Sequence, residues 1–168
     1  MKPRAAISEL KTHVSYDRET GVFSWVQSAS GRIMSRPAGT KTSDGYVCVY
    51  ILGRLYQAHH LAWAFVYGEW PDQIDHINRH RGDNRISNLR PATRSQNAHN
   101  KAEPTNNTSG FKGIRFRKNR WEASCMVRGK RKYLGRHLSL GEARDAYDAF
   151  ANSAVGEFHF PTGRGETK

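Results

Sequence analysis

The chain has 168 residues, enough for one ordinary domain or two small ones. Its 27 lysines and arginines outnumber its 15 acidic residues, and the net charge of +12 favours a polyanionic partner such as nucleic acid. The two cysteines, Cys48 and Cys125, form no CxxC pair, so neither a cysteine-based zinc site nor a disulfide framework is indicated, and we expect small core residues. No apolar run reaches membrane-spanning length and no signal-peptide core is present, so we expect a cytoplasmic protein without membrane contact.

Short antiparallel strands are predicted for the first sixty residues. A hairpin is expected over 16–26, around a turn-rich centre, and a second over 46–56, where Gly53 separates two apolar runs. A helix is predicted from about 58 to 67, because apolar residues recur there at helical spacing and Gly68 follows.

A short strand and a polar loop are predicted over 73–83. The strand carries Asp75 and His76, and the loop contains Gly82. Adjacent strand residues normally point to opposite faces, so Asp75 and His76 can share a site only if the strand ends or twists there. A carboxylate suits a hard divalent cation, and an imidazole that titrates near neutrality suits a general base.

A helix is predicted to begin near Arg94, because Thr93 and Gln96 form a capping box. Asn97 then lies about one turn inside this helix. A helix that packs back on the strand would bring the amide oxygen of Asn97 close to Asp75. Arg94 either approaches a phosphate or is a simple surface charge.

The carboxy-terminal part is strongly basic. The polar stretch 102–110 contains proline and glycine and is predicted to be a linker. Between Lys112 and Arg136, ten basic residues and one acidic residue interleave with aromatic and apolar residues. Short strands are expected near 111–117, 120–127 and 131–136.

An amphipathic helix is predicted after these strands. Ser139 and Glu142 form a second capping box, apolar side chains such as Ala143 and Tyr147 recur on one face, and Gly156 is a natural stop. The basic strands and this helix would make a small α+β module.

The segment 46–101 resembles the HNH homing endonucleases of phages. The matching stretches are GYVCVYILGRLYQAHHLAWAF and IDHINRHRGDNRISNLRPATRSQNAHNK. The resemblance implies a ββα-metal fold that hydrolyses phosphodiester bonds in duplex DNA with one divalent ion, Mg²⁺ or Mn²⁺, and leaves 5′-phosphate and 3′-hydroxyl ends. It implies Asp75 as a metal ligand, His76 as the general base and Asn97 as the second protein ligand. Asn88 would be the central asparagine, which braces the loop and helps to orient the histidine.

Two positions qualify this resemblance. The third motif position is Asn97 rather than histidine; both occur in the family, and asparagine marks the homing branch. The preceding helix usually opens His-Arg-Leu, whereas this chain has His59-His60-Leu61, so a role for the second position does not carry over. We expect His59 to be a buried, hydrogen-bonded structural histidine rather than a chemical group.

Residues 109–160 resemble the AP2 DNA-binding domain. The stretches that carry this resemblance are SGFKGIRFRKNRWEASC, KRKYLGRH and EARDAYDAFANSAVGEFHF. It implies that a three-stranded sheet enters the major groove while the helix packs behind it. The positions that resemble DNA-contacting ones are Arg115, Arg117, Trp121, Arg131 and Tyr133. For Trp121 and Tyr133 the alternative is core packing, and for the arginines it is a solvated basic face. Ser124 stands where the family has glutamate, so base preference does not carry over.

We therefore predict an α+β protein of two parts, a nuclease domain over 1–103 and an AP2-like domain over 111–161, with a linker over 104–110 and a tail over 162–168. It would be a monomeric, metal-dependent endonuclease in the cytoplasm of a phage-infected bacterial host cell, with duplex DNA as its partner and no protein partner implied. Residues 1–45 either complete the sheet or touch DNA. The alternatives are a non-catalytic DNA-binding regulator and an RNA-binding protein.

Overall fold

The computed structural model describes residues 4–26, 37–100 and 107–159. The chain divides between Ala92 and Thr93 into two compact units, each with its own hydrophobic core. Both contain helices and strands, which confirms the mixed α and β composition expected from the sequence. The tail and residues 104–106 of the predicted linker lie outside the described residues, and the predicted domain bounds stay a prediction.

The described residues of the first unit form small antiparallel sheets, two α-helices and a short 3₁₀ helix over Ile86–Asn88. The helices are α1 (Ile7–His13) and α2 (Ala58–Tyr67). One sheet has the order β1 (Val14–Tyr16), β2 (Phe23–Trp25) and β3 (Pro37–Ala38). A second has the order β4 (Thr40–Lys41), β5 (Val47–Ile51) and β6 (Arg54–Gln57). The third pairs β7 (Ile74–His76) with β8 (Leu89–Pro91).

Local sequence signals account for most of these elements. Asp17 closes the β1–β2 turn, because its Oδ1 accepts hydrogen bonds from the backbone N–H groups of Glu19 and Thr20 at 2.9 and 3.3 Å. The predicted helix over 58–67 is confirmed as α2, which ends at Gly68 in the left-handed conformation, φ 77°. Cys48 is buried in β5 as a free thiol, as expected.

Helix α1 was not expected, since the first sixty residues were predicted as strands alone. It has seven residues, of which only Leu10 is buried, so it carries too little apolar periodicity to be recognised in the sequence. Tertiary packing stabilises it: Leu10 is fully buried in the same core as Val14, Val49 and Leu61.

The second unit begins with α3 (Arg94–Asn100) and continues as a three-stranded antiparallel sheet with a helix on one face. The sheet has the order β9 (Ile114–Arg117), β10 (Arg120–Val127) and β11 (Lys130–His137), and α4 (Leu140–Val155) follows it. These elements agree with the predicted strands and helix. Ala143 and Tyr147 of α4 pack against Ile114 and the free thiol of Cys125, which forms the core of this unit.

Both predicted capping boxes are present. Thr93 Oγ1 accepts from the N–H of Gln96, and Gln96 Oε1 accepts from the N–H of Thr93. At α4, Ser139 Oγ accepts from the N–H of Glu142, whose carboxylate accepts from the N–H of Leu138. Among the described residues, no helix is long and apolar enough to cross a membrane.

Candidate active site

Asp75 lies on β7 and forms a buried ion pair with Arg90 of β8. The two residues are directly opposite each other in the strand register. Arg90 donates from Nε to Oδ2 of Asp75 at 2.9 Å, and its Nη2 lies 2.8 Å from the same oxygen. Asp75 is 3% exposed and Arg90 9%, so the guanidinium compensates the charge of a largely buried carboxylate. Arg90 therefore fixes both the position and the charge balance of the predicted metal ligand.

His76, the last residue of β7, is buried against other aromatic rings. Its ring lies edge-on to that of His59, with 4.9 Å between centroids, and 6.0 Å from that of Tyr46. Burial lowers the pKa of His76 below its usual value, with smaller opposing contributions from Asn84 and Asp75. Adjacent residues within a strand point to opposite faces, but β7 ends at His76. Asp75 and His76 can therefore serve one site.

His59 is buried, as expected, but its hydrogen bonding differs from the expectation. Its Nδ1 has no hydrogen-bond partner among the described residues. Burial, followed by the neighbouring charges of His60 and His76, lowers the pKa of His59 to about 2. The ring is therefore a neutral neighbour of His76.

Two asparagines organise the loop between β7 and β8. The side chain of Asn88 accepts from the N–H of Asn78 at 3.0 Å and donates to the carbonyl of Asp83 at 2.8 Å, so it braces the loop. A different residue, Asn84, approaches the histidine: its Oδ1 lies 3.5 Å from Nε2 of His76. Asn84 also donates from Nδ2 to the carbonyl of Gly82 at 3.2 Å. This second hydrogen bond assigns the amide orientation, so the oxygen of the amide faces His76.

The amino-terminal hairpin supports this loop. Tyr16 donates from its hydroxyl to the carbonyl of Asn84 at 2.7 Å, and the N–H of Ile86 donates to the carbonyl of Arg18 at 3.2 Å. Gly21 packs against the same backbone, where a Cβ would lie 2.5 Å from the carbonyl carbon of Asn84. These residues form part of the scaffold of the loop.

Replacing Gly21 by alanine should lower stability and cleavage together, although Gly21 is remote from the reacting groups. Gly21 has φ +73°, and Gly53, with φ +75° and nothing within 4 Å of its would-be Cβ, is the matched control. Gly53→Ala should cost roughly 1–2 kcal/mol of unfolding free energy from backbone strain alone. Gly21→Ala should cost about 1–3 kcal/mol more from the clash. Equal losses in urea unfolding would contradict a packing role for Gly21.

The other predicted site residues of the nuclease motif lie in α3, in the second unit. Arg94 is the first residue of this helix and is exposed. Asn97 follows in the first turn, and its N–H donates to the carbonyl of Thr93 at 2.9 Å. The ββα-metal fold and the joint role of Asp75 and Asn97 stay predictions.

The sheet of the second unit has a buried and an outward face. Ile114, Ala123 and Cys125 are buried under α4, so the alternate residues of β9 and β10 point outward. By register, the predicted DNA-contacting residues on the outward face are Arg115, Arg117, Arg131 and Tyr133, all of them exposed.

Trp121 is the exception among the predicted DNA-contacting residues. It lies on the helix-facing side of β10, packs against the core of the second unit and contacts the ring of Phe116 at 4.9 Å. Core packing, the alternative considered for this residue, therefore accounts for it, and Trp121 does not belong with the outward arginines.

Sequence patterns missed the partners that complete the site. Arg90 lies two residues after Asn88 but contacts Asp75 only through strand pairing, and His59 reaches His76 from a separate helix. Asn84 follows Asp83 in a turn-rich stretch, where an asparagine usually indicates a turn. The connection over 77–88 is too long to determine the register of β7 against β8, so neither the pairing of Asp75 with Arg90 nor the contact with His59 has a sequence signal.

Comparison with known proteins identifies the family of this chain. The family described as HNH endonuclease matches residues 56–99, which run from the end of β6 through β7 and β8 into α3. An uncharacterized HNH endonuclease of Acanthamoeba polyphaga mimivirus is 30% identical over 148 residues, which cover 86% of this chain and 76% of that protein. No solved structure matches the chain. The chain belongs to the HNH endonuclease family and is a DNA nuclease.

Proposed function

We propose that this protein is a metal-dependent, homing-type endonuclease that hydrolyses phosphodiester bonds in duplex DNA with His76 as its general base. The observation that carries the proposal is the setting of His76, a buried imidazole at the end of β7 beside His59 and Asn84. The phage-infected bacterial cytoplasm and the monomeric state belong to the same proposal and rest on the resemblance alone.

His76 can act as a base because its imidazole is neutral. Burial lowers the pKa of His76, so the neutral form persists at physiological pH. Asn84 presents Oδ1 to Nε2, which favours the tautomer that carries its proton on Nε2 and its lone pair on Nδ1. Nδ1 would accept a proton from water while the water oxygen attacks phosphorus. The bond to the 3′ oxygen then breaks, this oxygen takes a proton from solvent water, and the products carry a 5′-phosphate and a 3′-hydroxyl.

Asn88 has a positioning role in this proposal. Its two hydrogen bonds tie Asn78, directly after the β7 end, to Asp83 across the loop. The backbone N–H of Ile77 also donates to the carbonyl of Asn88 at 2.9 Å. These bonds fix the chain on the carboxyl side of His76, and precise placement of a base is part of its catalytic effect.

Asp75 and Asn97 are the proposed protein ligands of one Mg²⁺ or Mn²⁺ ion. A carboxylate and an amide oxygen are hard donors of the kind these ions prefer, so the residue types fit the ion. Within the described ranges no three histidine, cysteine, aspartate or glutamate side chains cluster as a metal site, and a two-ligand set completed by phosphate and water does not require such a cluster. When bound, the ion would supply positive charge to the phosphate and the leaving oxygen.

The outward face of the second sheet is the proposed DNA-binding surface, in the manner of an AP2 domain. Arg115, Arg117 and Arg131 are exposed there together with Tyr133. Arginines can bind guanine O6 and N7 in the major groove, and phosphate contacts add affinity that falls with salt. Arg94, exposed at the start of α3, is a further candidate for phosphate contact.

Cleavage of supercoiled plasmid DNA tests the nuclease proposal. We expect conversion to open-circular or linear DNA with Mg²⁺ or Mn²⁺ and none with EDTA, since the reaction depends on the ion. The form of the product separates nicking from double-strand cutting. DNA that is shifted on a gel in both metals yet never cut would instead indicate a non-catalytic DNA-binding regulator.

A further inference from the structure

Glu122 is the single acidic residue of the basic strands, and it lies in the middle of their outward face. Its cross-strand partners are Arg115 on β9 and Arg136 on β11. Arg115 donates from Nε to Oε2 of Glu122 at 3.1 Å, and Nε of Arg136 lies 3.4 Å from Oε1. The glutamate side chain is 13% exposed, whereas the two arginine side chains are 53% and 42% exposed. One covered carboxylate thus stands between two exposed guanidinium groups.

We propose that Glu122 is a positioning residue for base recognition, which holds Arg115 and Arg136 ready for guanine edges in the major groove of duplex DNA. This inference rests on the proposed function, in which the outward face of the sheet binds DNA. It also adds Arg136, which the sequence did not single out, to the residues that would contact bases.

The atoms used by the two ion pairs support this role. Each contact joins Nε of an arginine to the glutamate, on the side of the guanidinium nearest the rest of the side chain. Two parallel N–H groups of a guanidinium are what bidentate binding to O6 and N7 of guanine requires. In this proposal Glu122 orients both side chains through Nε, and the terminal nitrogens of the exposed guanidinium groups would meet guanine.

Holding the arginines in place favours specific binding. A free arginine side chain has many rotamers, and ordering it on binding costs free energy. If Glu122 orders Arg115 and Arg136 before DNA binds, less ordering free energy is lost when the complex with the correct bases forms. The carboxylate also weakens attraction to phosphates, which every DNA sequence shares. Both effects raise the ratio of specific to non-specific affinity.

Selection from a randomised duplex library tests this inference, with the full chain in EDTA so that DNA is bound but not cut. The variants are Glu122→Gln, which keeps the size but has one acceptor oxygen and no charge, and Asp145→Asn as the control. Asp145 lies on α4, 73% exposed beside Arg144, so its substitution changes the net charge equally. We expect Glu122→Gln to lose guanine preference at the positions that wild type selects.

The affinity measurements should separate orientation from charge. For Glu122→Gln we expect the ratio of specific to non-specific affinity to fall by roughly tenfold, the loss expected when a bidentate contact is weakened. Non-specific affinity should rise or stay constant, and Asp145→Asn should leave the ratio unchanged. If Glu122→Gln binds all sequences more tightly but keeps the base preference of wild type, the positioning role is overturned. A wild-type protein that binds DNA without any base preference would overturn it as well. If wild type binds no duplex DNA, or Arg117→Ala does not weaken binding, the proposed DNA-binding surface itself is wrong.

Discussion

Replacing His76 by alanine should lower the rate of DNA cleavage by roughly 10²- to 10⁴-fold while duplex DNA is still bound, because a positioned general base contributes about that much. The imidazole that would accept the proton is neutral through burial and is oriented by Asn84. Alanine removes the proton acceptor but leaves the outward face of the basic sheet unchanged. Plasmid cleavage and gel-shift assays at the same protein concentration measure the two quantities.

The control variant is His80→Ala, since His80 is an exposed histidine in the loop that follows β7. It should cleave at close to the wild-type rate. Because His76 is buried, its own variant needs an unfolding measurement, and His76→Asn provides a second, polar replacement that is not a base at neutral pH. Loss of DNA binding together with loss of cleavage in both folded variants would make His76 a structural residue.

The sequence predicted those elements that local chemistry determines. Alternating apolar residues between turn residues indicated β5 and β6, and paired capping residues indicated the starts of α3 and α4. These signals act within a few residues, so one chain is enough to recognise them. The motif residues Asp75 and His76 were found in the same way, from residue type and spacing.

The missed features depend on contacts between distant segments. The ion pair of Asp75 requires the register of β7 against β8, and the ring beside His76 comes from α2. Trp121 was ambiguous because strand alternation leaves open which of two faces meets the helix; the structure places it with the buried Ala123. Sequence patterns thus identified candidate chemical groups but not the residues that hold them.

Removing either charge of the Asp75–Arg90 pair should destabilise the first unit by about 3–5 kcal/mol, the usual cost of leaving a buried charge without its partner. Both side chains are nearly inaccessible, and two nitrogens of Arg90 approach one carboxylate oxygen. Arg90→Met removes the guanidinium that contacts the carboxylate, and Asp75→Asn removes the charge that the guanidinium contacts. Urea unfolding of the two variants measures the loss of unfolding free energy. A loss below about 1 kcal/mol in both variants is typical of a surface ion pair and would contradict the predicted cost.

The double variant Asp75→Asn/Arg90→Met separates the structural from the chemical role of Asp75. With both charges absent, no buried charge lacks a partner, so stability should recover well above the sum of the single losses. Cleavage should not recover, because the proposed metal ligand is still missing its charge. Arg90→Met alone keeps the carboxylate, so its folded fraction should cleave faster than folded Asp75→Asn, both measured at a temperature below their unfolding transitions. If the double variant regained both stability and cleavage, Asp75 would be a counter-ion for Arg90 and not a ligand of the catalytic ion.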